Sequence, residues 1–195
     1  MCQLEVLRNC LNLSALRQKL KELPETLDET YNRILLGIPE NCHHEAHAVL
    51  QWLTYSKRPM NIAEVAEAIA VDRDNQTFEI ENRMFDIFSV LDICSSLVTL
   101  SEGKTTLKKD QAEGTRKLQL AHYSVKEYMV SSRIQSSHAK KFAIKETEAH
   151  EYMGEACLIY LLHSIGPIRY TQTLGLSTRF FSTQLNVGMA TIKPF

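Results

Sequence analysis

Three short stretches of this 195-residue chain carry the side chains that start helices. Thr26-Leu-Asp-Glu29, Asn61-Ile-Ala-Glu64 and Ser124-Val-Lys-Glu127 each place a hydroxyl or amide three residues ahead of a glutamate. The first side chain can accept a free backbone N–H of the opening turn, while the glutamate reaches back to the cap's own N–H. Apolar residues at helical spacing follow each box. Behind the first, Leu27, Tyr31, Ile34, Leu35 and Ile38 predict an amphipathic helix that stops between Gly37 and Pro39. Ile62, Val65, Ala66 and Ile69 supply the apolar face behind the second, and Val125, Tyr128 and Met129 behind the third. A chain punctuated this way is committed mainly to helix.

The intervening segments set the order of elements. Residues 43–55 predict a helix striped by Ala46, Val49, Leu50 and Leu53 and bordered by Trp52. Ser56-Lys-Arg-Pro59 breaks it, leaving room for a short extended piece. Residues 71–82 read as a polar, acidic loop, and residues 84–95 as a helix with Met84, Ile87, Phe88 and Leu91 on one face. Two strand-like runs, Leu97-Val-Thr-Leu100 and Leu118-Gln-Leu-Ala121, flank a long polar loop that contains Gly103 and Gly114. After the third box, four serines (Ser131, Ser132, Ser136 and Ser137) loosen the chain. A last helix then carries Ala149, Tyr152, Met153, Ala156, Cys157, Tyr160 and Leu161. From residue 164 the periodicity and the acidic groups stop together, which predicts a weakly ordered tail. Helix, extended piece, helix, helix, strand, long loop, strand is the order of a winged helix. The third helix takes the recognition position and the hairpin loop is the wing.

At the N-terminus, Leu4, Leu7 and Leu11 follow helical spacing from the first residues, and Ser14 can cap a second short helix with Leu16, Leu20 and Leu23. A stripe that begins so abruptly suggests a chain cut from something longer.

Composition excludes several classes. With 44% apolar and 23% charged residues, disorder over the whole length is ruled out. No apolar run approaches the ~20 residues of a membrane span, and no basic n-region precedes an apolar core at the N-terminus. The five cysteines (Cys2, Cys10, Cys42, Cys94 and Cys157) are odd in number and lack a C-x-x-C spacing, so reduced thiols and a cytoplasmic location are expected. Charge is uneven: residues 1–98 hold 9 basic and 15 acidic side chains, residues 99–195 hold 13 and 8. That asymmetry fits a basic binding face in the second half, or docking of the two halves on each other.

Catalytic constellations fall short one by one. Gly103-Lys104-Thr105-Thr106 would need another glycine five residues upstream of Gly103 to be a P-loop, and that position is Val98, in a predicted strand. His43 and His47 share a helix face, but the second histidine of an H-E-x-x-H motif would fall on Ala48. A solvated helix N-terminus is the expectation there. His122 and Ser124 lie across a strand-to-helix junction without a G-x-S-x-G elbow, and Ser124 is read as the helix cap. Glu79 and Glu81 are read as solvent-facing. No catalytic residue, cofactor or metal is expected. The alternative is a nucleic-acid-binding winged helix. Its wing, residues 101–117, holds five basic and three acidic side chains, and Lys108, Lys109, Arg116 and Lys117 are the candidate contacts to phosphate or to a protein partner. Against it, the segment 84–95 carries Asp86 and Asp92 and neither Lys nor Arg, so the bidentate arginine contact to guanine is missing.

Four segments in order carry a family resemblance. They are Leu27-Asp-Glu-Thr-Tyr-Asn-Arg-Ile-Leu35, Leu50-Gln-Trp-Leu53 with Arg58-Pro59, Leu91-Asp-Ile-Cys-Ser-Ser-Leu-Val98, and Leu120-Ala-His-Tyr-Ser-Val-Lys-Glu-Tyr128. Together they resemble the region that follows the nucleotide-binding core in fungal NACHT-type signal-transduction ATPases, a winged helix of the GPI inositol-deacylase type. The name implies no deacylase activity here. The opening residues, through Leu23-Pro24, resemble the last helices of the NACHT module itself. The resemblance implies a mainly α fold with a small β-hairpin: a helical NACHT remnant over 1–40, a winged helix over 41–135, a C-terminal helical segment over 136–163 and a divergent tail over 164–195. The Walker strands of the family stand upstream and its ankyrin-type repeats downstream, outside this sequence, so a fragment or truncated paralogue is expected. The implied function is non-catalytic and regulatory. The winged helix packs on the ATPase module and couples bound nucleotide to opening and oligomerisation. The implied partner is a NACHT ATPase module or an intact relative, with self-association where apolar stripes lie bare, and without membrane. No residue here matches a catalytic or nucleotide-contacting position of the family.

Overall fold

A computed structural model describes residues 12–14, 17–18, 24–101 and 116–165. The predicted stripes before Pro24, the Gly103–Thr106 segment and the tail beyond 165 lie outside the described residues.

Helix α1 (Leu27–Leu36) starts where its capping sequence predicts. Thr26 Oγ1 accepts the Glu29 N–H at 3.2 Å. The Glu29 carboxylate reaches one residue past the cap and accepts the Glu25 N–H at 3.0 Å. Gly37 closes the helix by donating its N–H to the Arg33 and Ile34 carbonyls. Helix α2 (His43–Tyr55) has the predicted bounds, followed by β1 (Met60–Asn61) and α3 (Ile62–Ile69). The α3 start is built by Glu64, which accepts the Asn61 N–H at 2.9 Å and both arms of the Arg58 guanidinium at 2.8 and 2.9 Å. Then come β2 (Val71–Asp72), β3 (Thr77–Phe78), α4 (Ser89–Cys94), β4 (Val98–Ser101), β5 (Lys117–Leu120), α5 (Tyr123–Val130), α6 (Ser132–Gln135) and α7 (Glu146–Ile165).

The main sheet is antiparallel in the order β1-β5-β4, with Leu118 opposite Met60 on one side and Leu100 on the other. The short β1 thus pairs with the strand that returns from the wing. This is winged-helix topology, with α2, α3 and α4 as its three helices, and α7 follows as a long C-terminal helix.

Four local expectations are corrected. Residues 71–82 are not a plain loop: β2 and β3 form a hairpin pairing Val71 with Phe78. Asp72 closes its turn by accepting the Asn75 N–H at 3.0 Å and the Asn75 side-chain amide at 2.8 Å, and Gln76 takes φ 52°. The recognition helix is six residues long rather than spanning 84–95. Asp86 is the reason. Its carboxylate accepts the Phe88 N–H at 2.9 Å and its carbonyl accepts the Ser89 N–H, a local turn that competes with helix ahead of Ser89. The cap of α5 is His122, not Ser124: the imidazole Nδ1 accepts the Ser124 N–H at 3.2 Å. Finally, Trp52 does not border a stripe but is fully enclosed.

One cluster of buried side chains runs from Tyr31 to Tyr160. Helix α1 is fastened to the segment after the sheet. Tyr31 and Tyr128 rings lie 5.7 Å apart, Arg133 pairs with Asp28 at 2.9 Å, and Asn32 Oδ1 accepts the Ala139 N–H at 3.1 Å. Helix α7 packs on α2 and on the hairpin, with Phe78 edge-on to Tyr160 at 4.8 Å and His150 against Tyr55 at 5.2 Å. Phe142 fills the first turns of α2, 5.3 Å from the His43 ring and 6.5 Å from that of His47. His47 Nε2 donates to the Ala143 carbonyl at 3.3 Å. A carbonyl only accepts, so Nε2 holds the proton. Burial pushes the His47 pKa below 6.5, and the Ala143 carbonyl pulls it part of the way back.

Two outcomes follow from this packing. The chain has one tryptophan, so denaturant should red-shift its emission in a single transition that coincides with loss of helical circular dichroism, and Trp52→Ala should cost about 3–5 kcal/mol. His47 binds its proton more readily unfolded than folded, so its contribution to stability is complete above the ordinary value of 6.5 and is lost as pH falls below it. Melting temperatures measured across that range should therefore fall less steeply for His47→Gln than for the parent chain.

Candidate functional site

The wing root places two of the four predicted basic contacts. Lys117 sits in β5 opposite Asn61 and Ser101, with its side chain exposed. Arg116 precedes it, exposed, and its carbonyl accepts the Ile62 N–H that opens α3, at 2.9 Å. The geometry brings Arg116 and Lys117 together at the base of the wing. Lys108 and Lys109 lie outside the described residues. In the recognition position, α4 buries Val90 and Cys94, half-buries Leu91 and Ile93 and turns Asp92 outward. Asp86 is exposed just before it. The segment at the position that reads bases in DNA-binding winged helices thus carries two exposed carboxylates, one on the helix and one just before it, and no cation between residues 84 and 95.

The polar groups weighed for chemistry are occupied structurally. His43 Nε2 donates to the Ile38 carbonyl at 2.8 Å, and Lys141 Nζ stands 3.1 Å from its Nδ1. His43 and His47 are half-buried against Phe142 rather than solvated, which corrects the expectation of a bare helix N-terminus, while His44 between them is exposed. Among the described residues, no three His, Cys, Asp or Glu side chains stand close enough to hold a metal ion. Ser124 Oγ lies 2.6 Å from His122 Nδ1 and 2.6 Å from the Tyr31 hydroxyl. That imidazole nitrogen also caps α5, so the three groups fasten α5 onto α1. Cys94 and Cys157 are buried, and desolvation raises both thiols to about 12, far from nucleophilic. Among the described residues, no helix is long and apolar enough to cross a membrane.

The most unusual surface lies between the hairpin and α4. Ile80 is 71% exposed and Phe85 is fully exposed. Between them, Arg83 turns inward to pair with the buried Glu67 at 2.8 Å and lies 5.2 Å over the Phe78 ring. Burial raises the Glu67 pKa and Arg83 pulls it back. Arg73, at the other side of the hairpin, lies over the Tyr152 ring at 4.7 Å and pairs with Glu155 at the surface. Asp74, Glu79, Glu81 and Asp86 remain exposed. By sequence, Ile80 falls in the acidic loop over 71–82 and Phe85 falls off the stripe of Met84, Ile87, Phe88 and Leu91. Elsewhere Leu158 and Leu162 stand out from the end of α7, and Leu36 lines a shallow depression on α1 with Glu29, Asn32, Arg33 and Gly37.

Comparison with known proteins agrees with this topology. The chain is 37% identical over 144 residues to a Monascus ruber protein named azaphilone pigments biosynthesis cluster protein L. The match covers 73% of this chain but 29% of the relative, so the chain spans less than a third of the length of that curated protein. No solved structure matches the chain. Residues 32–145, from α1 to the segment before α7, match the family described as GPI inositol-deacylase, winged helix domain. With well over half of its length matched, the chain belongs to the GPI inositol-deacylase winged-helix family.

Proposed function

We propose that this chain is a non-catalytic regulatory module of the kind that accompanies NACHT-type signal-transduction ATPases, and that it works by docking on protein. The observation that carries the reading is α4. It occupies the recognition position of the winged helix, yet it is short, largely turned into the core, and presents Asp92 outward. A helix offering a carboxylate to a major groove, with Asp86 exposed just ahead of it, repels phosphate, and it holds no arginine for a guanine edge. Membership of the winged-helix family, together with the resemblance of residues 27–128 to the region behind the NACHT core, supports the ATPase module as the partner. In this reading the module senses the nucleotide state of its partner through surface contacts and passes it on as opening or assembly.

Three measurements on the purified chain test the proposal together. ATP turnover should stay at the buffer background. Titration of a labelled DNA duplex at low salt should give no saturable binding. Light scattering after gel filtration should show a complex with the NACHT module of an intact relative, its amount depending on whether ATP is present. Salt-dependent DNA binding that disappears when Lys108, Lys109, Arg116 and Lys117 are changed to Ala would replace this reading with the nucleic-acid one.

A further inference from the structure

We infer that residues 79–86 form the docking surface of this module, and that Ile80 and Phe85 enter an apolar socket with a basic rim on a protein partner. The inference rests on the reading of the chain as a protein-binding module and adds where and what it binds.

Single exposed apolar side chains are ordinary. This pair is set apart by how it is held. Backbone bonds from Asn82 N–H to the Glu79 carbonyl and from Arg83 N–H to the Ile80 carbonyl, each 3.1 Å, form a turn that presents Ile80. The Asp86 turn onto Phe88 and Ser89 fixes the chain after Phe85. Arg83, between the two, is anchored to Glu67 at 2.8 and 2.9 Å. Two apolar side chains are therefore held outward on a backbone already ordered, so little conformational freedom is left to lose when a partner covers them.

Charge selects the partner. Arg83 is anchored on the buried Glu67 and Arg73, in the hairpin, pairs with the exposed Glu155, so each arginine already has a carboxylate partner within the molecule. The exposed charged side chains that share the segment with Ile80 and Phe85 are Glu79, Glu81 and Asp86, and Asp74 is exposed at the hairpin turn. Such a rim repels nucleic-acid phosphate and anionic lipid, and attracts lysine or arginine. An apolar centre inside a charged rim is also the anatomy of a protein–protein hot spot.

The test titrates the full chain into three labelled peptides and follows fluorescence anisotropy. One alternates Arg with Leu and Phe, the second replaces Leu and Phe by Ser, and the third replaces Arg by Glu. The first should bind, weaken with salt, and bind at least about tenfold more tightly than the other two. Phe85→Ser and Ile80→Ser should each weaken it about tenfold while leaving the melting temperature unchanged. Glu79→Lys with Glu81→Lys should do the same from the charged side. Equal binding by the parent chain and the Phe85 variant, equal binding of the Glu peptide, or no binding of the Arg peptide would each overturn the inference. A complex with a NACHT module that survives Phe85→Ser would overturn it too, while leaving the proposed function standing. Failure of every form to join a NACHT module would count against that function instead.

Discussion

Helix α2 is surrounded. Ala46, Val49, Leu50 and Trp52 have no exposed surface, and Ala48 almost none. From Ala48 to Trp52 every position is buried, and a stretch buried on every face has to be covered on all sides. Here α3 and the sheet cover it from the winged-helix side, and α7 with the Phe142 segment covers it from the other. Its C-terminal end is closed by Lys126, whose Nζ donates to the Thr54 carbonyl at 2.9 Å and lies 5.5 Å over the Tyr55 ring. The elements that follow the sheet are therefore part of the core that encloses the first winged-helix strand and helices. Burying this helix is the constraint that ties the C-terminal α7 to the winged helix and fixes which faces remain outside.

Charges then sort themselves around that core. Glu64 and Glu67 are nearly buried on α3, and each draws an arginine inward, Arg58 to the first and Arg83 to the second. Removing one partner of such a pair would strand a desolvated charge, which is costly. The consequence at the surface is less obvious. An arginine that serves the inside offers less to the outside, so the fully exposed charges of the segment between the hairpin and α4 are acidic. The interior electrostatics of α3 thereby set the sign of the outer surface, and that sign disfavours phosphate. Fold topology and surface charge diverge at this point. The winged helix is built in its usual strand order, but its recognition position carries exposed carboxylates and no cation.

Much of this was legible from residues alone. The boxes at Thr26 and Asn61 announced α1 and α3, and the bounds of α2 followed from its stripe and the Pro59 break. The third box misled, because an imidazole two residues before Ser124 satisfied the same backbone donor first. The β2–β3 hairpin was hidden because its strands are two residues long and only Val71 and Phe78 anchor them, too few for an alternating pattern to emerge. Trp52 looked peripheral on a helical wheel, since a stripe argument assumes one wet face and α2 has none between Ala48 and Trp52. The acidic character of the recognition segment was visible in Asp86 and Asp92. The outward pair of Ile80 and Phe85 was not, because it depends on Arg83 folding inward, a long-range contact with Glu67 that no local spacing encodes.

The central claim is that this winged helix meets protein through the segment before α4 rather than nucleic acid through α4 and the wing. Amide hydrogen exchange on the full chain, run alone, with a DNA duplex and with a NACHT module, tests it most directly. The account predicts protection of residues 79–88 by the NACHT module and no change anywhere with DNA. Protection of residues 89–94 and 116–117 by DNA, with residues 79–88 indifferent to protein, would contradict it.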